Sequence, residues 1–296
     1  MRTTPGFRAS ALAVLLVIAL LSLLPMVRLL VAAVAPGGEL DFGAFAERLA
    51  KPAALRAMWH TLDTAFFGAV LAVCLGGPFA VAVTMTDLPG RKPLGFLLLL
   101  PLMIAPQVTA LSWLHLFGPS STLLGMVGMA PPPGTPNPML GRNGIILLYA
   151  VQHAPIVFIT LRAGLSRIPR DLVEAARASG ARPLSVLWTI VLPVVRPYIV
   201  AAAALAFVSG VGNFGIPALL GMPVNYLTLP TLIYQDLSSF GPGVLPQITA
   251  LSVLVGLLAL GGGARPTLGR GRPPPPRANS APAPGGGWGG RRPPPR

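Results

Sequence analysis

The chain has 296 residues, of which 53% are hydrophobic and only 10% are charged. Its apolar residues gather in blocks of membrane-spanning length, which excludes an ordinary soluble domain and predicts an all-α integral membrane protein. The net charge of +14 does not indicate a nucleic-acid partner, because the basic residues lie between the apolar blocks and in the tail, as membrane topology requires. With Cys74 as the single cysteine, neither an intrachain disulfide nor a cysteine metal cluster is available.

The first apolar block covers residues 9–27 and continues after Arg28 to residue 35. It is long enough to cross a bilayer. A cleaved signal peptide is the alternative, because Ala33-Val34-Ala35 resembles a cleavage site, but the block is too long for that role. A polar link follows at residues 36–60, and we group residues 1–56 as an N-terminal span with its link.

The second predicted span, residues 61–86, has Gly76-Gly77-Pro78 in its middle, which permits a kink and close helix contact. The third, residues 94–117, contains Pro101, Pro106 and Gln107. Because the prolines free backbone groups that lipid cannot satisfy, we expect this span to face the bundle or a wet cavity.

A Gly- and Pro-rich loop at residues 118–143 precedes the fourth predicted span, residues 144–161, which carries Gln152 and His153. His60, His115 and His153 lie on different segments without a neighbouring carboxylate, so each is read as an interfacial or bundle histidine and not as a metal ligand. Asp63 and Asp236 are candidates for a substrate path, but their positions predict span ends in water.

A charged insert, residues 171–193, follows the fourth span and predicts a helix, a turn and a second helix. We expect Asp171 to cap the first helix in a capping box with Glu174, and Gly180 to end it in the left-handed conformation. Pro183 suits the first turn of the next helix, and Pro193 should prevent that helix from continuing unbroken.

The first helix of this insert has small residues on one face, at Leu172, Ala175, Ala176 and Ser179. A face of that kind allows another surface to approach closely, so we interpret the insert as a docking element. An amphipathic loop lying on the lipid surface is the alternative.

Seven residues of the insert give the chain a resemblance to the permease subunits of binding-protein-dependent ABC importers of type I. They match every fixed position of that family's loop signature: Glu174, Ala175, Ala176, Gly180, Ile190, Leu192 and Pro193. The resemblance covers about residues 55–260. It implies that these residues form a coupling loop, between the fourth and fifth of about six transmembrane helices, that inserts into a separate cytoplasmic ATPase.

The fifth predicted span, residues 197–220, is interrupted at Gly210 to Pro217. A broken helix at that depth is stable only where it is buried or lines a cavity, so Asn213 and Phe214, with Gln107, are the candidates for the translocation path. The run from Asn213 to Pro217 is similar to the ferric-iron branch of the family, whose relatives include polyamine and phosphonate importers. An acidic residue is common there where Asn213 stands, which weakens the expectation of iron transport.

The sixth predicted span, residues 245–262, completes a permease core at residues 57–262. The tail, residues 263–296, is rich in Gly, Pro and Arg and should be disordered. Its composition suggests a shifted reading frame or a truncation near residue 262.

The distribution of basic residues predicts a cytoplasmic N-terminus in the bacterial inner membrane. That orientation puts ten lysine and arginine residues inside and five outside before the tail is counted, and it places the insert in the cytoplasm.

The only lysines, Lys51 and Lys92, do not follow a phosphate-binding loop, so the chain should not hydrolyse ATP itself. The resemblance supplies its partners: an ATPase dimer that binds ATP and Mg²⁺, a second permease subunit or permease half, and an extracytoplasmic solute-binding protein. An ion-gradient-driven transporter and an integral-membrane enzyme remain alternatives, although the former would need an ionisable residue in mid-membrane and the latter a convergent catalytic set.

Overall fold

The computed structural model describes residues 5–35, 41–86, 88–132, 134–239 and 244–264. These residues form helices and turns and contain no β-strand. Five of these helices are long and apolar enough to cross a membrane, or six spans if a bent pair of helices is counted as one, which confirms the predicted all-helical membrane fold. The tail beyond residue 264, with the disorder predicted for it, lies outside the described residues.

The helices follow one another along the chain with these bounds: α1 Pro5–Val34, α2 Phe42–Ala50, α3 Pro52–Met85, α4 Arg91–Met103, α5 Pro106–Leu116, α6 Thr122–Met126, α7 Arg142–Leu165, α8 Arg170–Ala178, α9 Pro183–Val186, a π turn Leu187–Val191, α10 Leu192–Val211, α11 Gly215–Leu220, a 3-10 turn Met222–Val224, α12 Leu229–Leu237 and α13 Val244–Ala264.

The core of the bundle is formed by α3, α7 and α10, each of which packs along the other two. Small residues allow the close approach: a side chain at Gly76 of α3 would begin 2.5 Å from the Ala154 carbonyl oxygen of α7. Around this contact lies an apolar cluster that includes Ala72, Val157 and Phe158. Outside the core, α1 packs on α13 and exposes most of its apolar side chains, as expected for a helix in contact with lipid.

The third span is not one straight helix as predicted. It is divided into α4 and α5, which are bent by 104° at the break between them. Pro101 and Pro106 flank the break and cannot donate the hydrogen bonds that would hold a continuous helix. The freed carbonyl groups find a partner in the protein, as expected, because Gln152 Nε2 of α7 donates to Pro101 O at 3.0 Å and Ile104 O at 3.3 Å.

Two predicted span boundaries were wrong. The second span begins at Pro52 instead of Thr61, since Pro52 favours the first turn of a helix. The fifth begins at Pro183 instead of Pro197, because the helix continues past Pro193 as one 29-residue span. The π turn immediately before Pro193 interrupts the α-helical bonding without ending the helix, and its wider turn gives the proline ring room.

Candidate functional site

The predicted coupling helix, α8, begins one residue earlier than expected. Pro169 precedes its first residue, and the Leu172 N–H already donates to Pro169 O at 3.2 Å. The predicted cap by Asp171 and its capping box with Glu174 are therefore wrong, and no side chain caps this helix. Asp171 instead lies within the first turn, where its carboxylate still favours the positive end of the helix.

The end of α8 agrees with the prediction. Gly180 has a φ of +84°, in the left-handed region, and the Ala181 N–H donates to Ala176 O at 3.1 Å, which closes the last turn. Nothing lies within 4 Å of a side chain built at Gly180, so backbone conformation alone requires glycine there. Pro183 occupies the first turn of α9 as predicted.

The small-residue face of α8 divides between two environments. Val173 and Ala176 are half-buried and pack against the core cluster, whereas Leu172, Ala175 and Ser179 are exposed. The prediction that Ala176 lies on the docking face is therefore wrong. Ala176 packs on the bundle, because α8 needs an apolar side for that contact. A cleft of about 380 Å³ between α8 and the ends of α3 and α7 is lined in part by Glu174 and Arg177.

The last three signature residues belong to the helix that leaves the insert. Ile190 lies in the π turn, and Leu192 and Pro193 begin α10 directly after it. Ile190 and Leu192 are half-buried, with Ile190 packed against the core cluster, and Pro193 is exposed. The signature thus extends from a projecting helix into a membrane span.

The break in the fifth span lies where it was predicted. The α-helix α10 ends at Val211, and the side-chain oxygen of Asn213 accepts a hydrogen bond from the Ile216 N–H of α11 at 3.2 Å. Gln107 lies against this break, because a side chain on Gly215 would begin 2.8 Å from Gln107 Cδ. The structure therefore brings Gln107 and Asn213 to the same region.

Phe214, at the same break, directly precedes α11. Its ring is 5.1 Å from that of Tyr234 in α12, measured between centroids. Both rings line an open cleft of about 350 Å³ between the end of α10, α12 and α13. The aromatic pair adds apolar surface next to the polar side chains of Gln107 and Asn213.

Two polar residues of α7 make contacts that were not predicted from the sequence. Gln152 holds the break of the third span, and His153 Nε2 lies 2.8 Å from Ser209 Oγ of α10. Their adjacent positions in the middle of an apolar span are the signal that could have identified them, since buried polar groups in a membrane require partners. Among the residues that the structure describes, no three His, Cys, Asp or Glu side chains are grouped as a metal site.

The two candidate aspartates differ from the prediction that both lie in water. Asp63 has a side chain only 11% exposed and forms an ion pair with Arg142, while Asp236 is half-buried near the end of α12. Burial raises the pKa of Asp236, and the charge of Lys51 partly opposes that shift. Neither residue lies at the break in the fifth span.

Residues 7–262 match the family model described as "Binding-protein-dependent transport system inner membrane component". The chain is 27% identical to the molybdenum transport system permease protein ModB of Mycobacterium bovis over 233 residues, 78% of this chain and 87% of ModB. It is 28% identical over 247 residues to the probable ABC transporter permease protein y4fN of Sinorhizobium fredii, covering 81% of this chain but only 42% of that longer protein.

Other relatives are named for the transport of different substrates. The spermidine/putrescine permease PotC of Haemophilus influenzae is 27% identical over 206 residues, 70% of this chain and 72% of PotC. Among solved structures, a bacterial alginate ABC transporter in complex with a periplasmic protein matches with a TM-score of 0.71 and 20% identity, over 88% of this chain and 92% of its own. The fold agrees with the family model, which matches most of the chain. This chain belongs to the binding-protein-dependent transport system inner membrane components, the permease subunits of ABC importers.

Proposed function

We propose that this permease subunit couples ATP binding by two cytoplasmic ATPase subunits to the uptake of a solute, and that α8 is its coupling helix. The observation that carries the proposal is the exposed side of α8, where Leu172 is 49% exposed and Ala175 and Ser179 lie beside it. An apolar, small-residue surface on a short projecting helix fits a groove on a partner. ATP and Mg²⁺ bind to the ATPase subunits in this proposal.

Movement of α8 reaches the membrane through the residues that follow it. Gly180 fixes the turn between α8 and α9, and α9 continues without a chain reversal through the π turn into α10. Because α10 packs on both α3 and α7, a displacement of α8 is passed to the centre of the bundle. Ile190, Leu192 and Pro193 act at the junction, and Glu174 and Ala175 act at the partner surface.

The translocation path runs along the break of the fifth span, with Gln107, Asn213 and Phe214 in its wall. The break directly follows Val211, the last residue of the span, and its polar backbone needs a protein or aqueous environment, which a path between two permease subunits provides. A second permease subunit or half completes the path, and an extracytoplasmic binding protein delivers the solute. The alginate transporter, which has the same fold, was crystallised with such a periplasmic protein.

The binding protein selects the solute in this proposal. Ferric iron is a candidate from the run Asn213 to Pro217, and the relatives named for molybdenum, spermidine/putrescine and 2-aminoethylphosphonate add three others. Uptake of each radiolabelled candidate by cells that express the complete transporter, compared with cells lacking this subunit, identifies the solute.

Crosslinking tests the coupling role. In a Cys74→Ser background, a cysteine at Ala175 should crosslink to a co-expressed ATPase subunit, whereas a cysteine at Ala176, which faces the bundle, should crosslink far less. The two positions are adjacent on one helix, so expression and insertion are matched. If the ATPase copurifies with the subunit but position 175 never captures it, α8 is not the coupling helix.

A charge reversal tests the same surface by activity. Glu174→Lys should abolish uptake while the subunit still inserts into the membrane and assembles with its second permease. Uptake at the wild-type rate by a well-expressed Glu174→Lys variant would contradict the role given to Glu174.

A further inference from the structure

The segment between α11 and α12, residues 221–228, is folded tightly and attached to two spans. Within it, the Gly221 carbonyl oxygen accepts hydrogen bonds from the N–H groups of Val224 and Tyr226. At its ends, the Gly141 N–H donates to Leu220 O at 2.7 Å, and the Leu229 N–H donates to Thr61 Oγ1 at 2.8 Å. The segment is therefore held by the start of α7 and by the first turns of α3.

An ion pair joins those two spans beside the segment. Arg142 Nε lies 2.5 Å from Asp63 Oδ2, and an Arg142 terminal nitrogen lies 2.9 Å from Asp63 Oδ1, which makes the pair bidentate. The guanidinium carbon of Arg142 is also 5.1 Å from the centre of the Phe67 ring. With Asp63 only 11% exposed, water screens this pair less than it screens a surface pair.

Tyr226 connects the ion pair to the segment. Its hydroxyl donates to Asp63 Oδ2 at 3.4 Å, and its ring stacks on His60 with centroids 3.9 Å apart. Burial, together with the charge of Asp63, raises the pKa of Tyr226 to about 12, so the hydroxyl keeps its proton and remains a donor. The His60 Nδ1 atom lies 2.9 Å from the Leu227 carbonyl oxygen and attaches the next residue of the segment.

This cluster is far from the predicted coupling helix. Asp63 precedes Met85, the last residue of α3 and a neighbour of α8, by a helical length of about 33 Å. The segment is close to the break instead: only the six residues of α11 separate it from Phe214, and its other end leads directly to α12, which carries Tyr234. The cluster is thus placed to control the break of the fifth span and its aromatic pair.

We propose that Asp63, Arg142 and Tyr226 form a polar clamp that positions the wall of the translocation path by fixing the segment 221–228 on α3 and α7. The three are positioning residues for transport, acting through Asn213, Phe214 and Tyr234. This role rests on the proposed path. The clamp itself is tested separately from transport.

Labelling tests the clamp directly. In the Cys74→Ser background, a cysteine at Leu229, which is fully buried, should resist a membrane-impermeant maleimide. Adding Asp63→Asn or Tyr226→Phe should raise its labelling rate on the order of tenfold, because the segment then separates from α3. Thr189→Ala is the control: the Thr189 hydroxyl donates to Ser185 O within its own span, near the end that is remote from the segment, so labelling should not change.

A charge exchange tests whether the ion pair is the cause. Asp63→Asn and Arg142→Gln should each reduce uptake on the order of tenfold, and Asp63→Arg combined with Arg142→Asp should restore most of it. Unchanged labelling of Leu229→Cys in both clamp variants overturns the proposal. Increased labelling with wild-type uptake leaves the clamp in place but removes its role in transport, whereas the coupling experiments on Ala175 are unaffected by either result.

Discussion

Gly76 allows α3 and α7 to pack closely, because it has no side chain. Gly76 faces the Ala154 carbonyl, which belongs to the backbone and cannot rotate away, whereas the neighbouring Gly77 has only the end of Leu161 nearby, at 3.8 Å. Adjacent residues of one helix thus have different tolerance for a methyl group.

We predict that Gly76→Ala destabilises the subunit by about 1–3 kcal/mol, as overpacking of a tight core does, and that Gly77→Ala changes stability little. Thermal unfolding of the detergent-purified protein, followed by fluorescence size exclusion, measures the difference. Equal melting temperatures for the two variants would mean that the helices can separate without cost.

At Gly180 the constraint lies in the backbone and not in packing. Gly180→Val should reduce uptake because a β-branched residue in the left-handed region costs about 1–2 kcal/mol and alters the angle at which α8 leaves the bundle. Gly180→Asn is the control, since asparagine tolerates this conformation. Similar uptake by the valine and asparagine variants would show that the turn does not require a positive φ.

At the scale of elements, the bent pair α4 and α5 depends on a side chain from another span. Gln152 supplies both hydrogen bonds to the break, and α5 in turn carries Gln107 against the break of the fifth span. The two breaks are therefore connected through α5, α7 and α11, which makes Gln152 a positioning residue for the path.

We expect Gln152→Leu to lower the stability of the subunit by about 1–2 kcal/mol, the sum of two hydrogen bonds of the strength found between membrane helices. Proteolysis near the break, at residues 103–106, should become faster. Ser112→Ala is a suitable control, because the Ser112 hydroxyl donates to Val108 O of its own helix. A Gln152→Leu variant that resists protease like the wild type would show that the prolines alone maintain the break.

For the whole molecule, the orientation in the membrane determines which end meets the ATPase. One span, from Pro183 to Val211, separates α8 from the segment that follows α11, and the basic residues favour α8 on the cytoplasmic side. The two ends of this span are thus expected on opposite sides of the membrane.

In intact cells, a cysteine at the exposed Val224 should react with a membrane-impermeant maleimide that has passed the outer membrane, and one at the exposed Ser179 should react only after the inner membrane is opened. The Cys74→Ser background removes the native thiol. The reverse pattern would place the N-terminus outside and α8 away from the cytoplasm.

Much of the fold could be predicted because its signals are local. The length of the apolar blocks indicated the spans. Pro101 and Pro106 indicated an irregular backbone in the third span, and Asn213 with its neighbouring glycines indicated the break in the fifth. The start at Pro52 was missed because the first turns of that helix carry Arg56 and His60 and so fall outside its apolar window. The start at Pro183 was missed because Pro193 was expected to end the helix, whereas the helix continues through the π turn.

The sequence by itself determined the apolar spans, the position of the projecting helix and the glycine that ends it, since apolar length and left-handed turns are properties of neighbouring residues. Only the tertiary structure decided that Ala176 packs against the bundle, that Gln152 donates hydrogen bonds to the break near residue 104, and that Asp63 forms an ion pair with Arg142. Those contacts join residues that are far apart in the chain, and their geometry depends on how closely the helices pack.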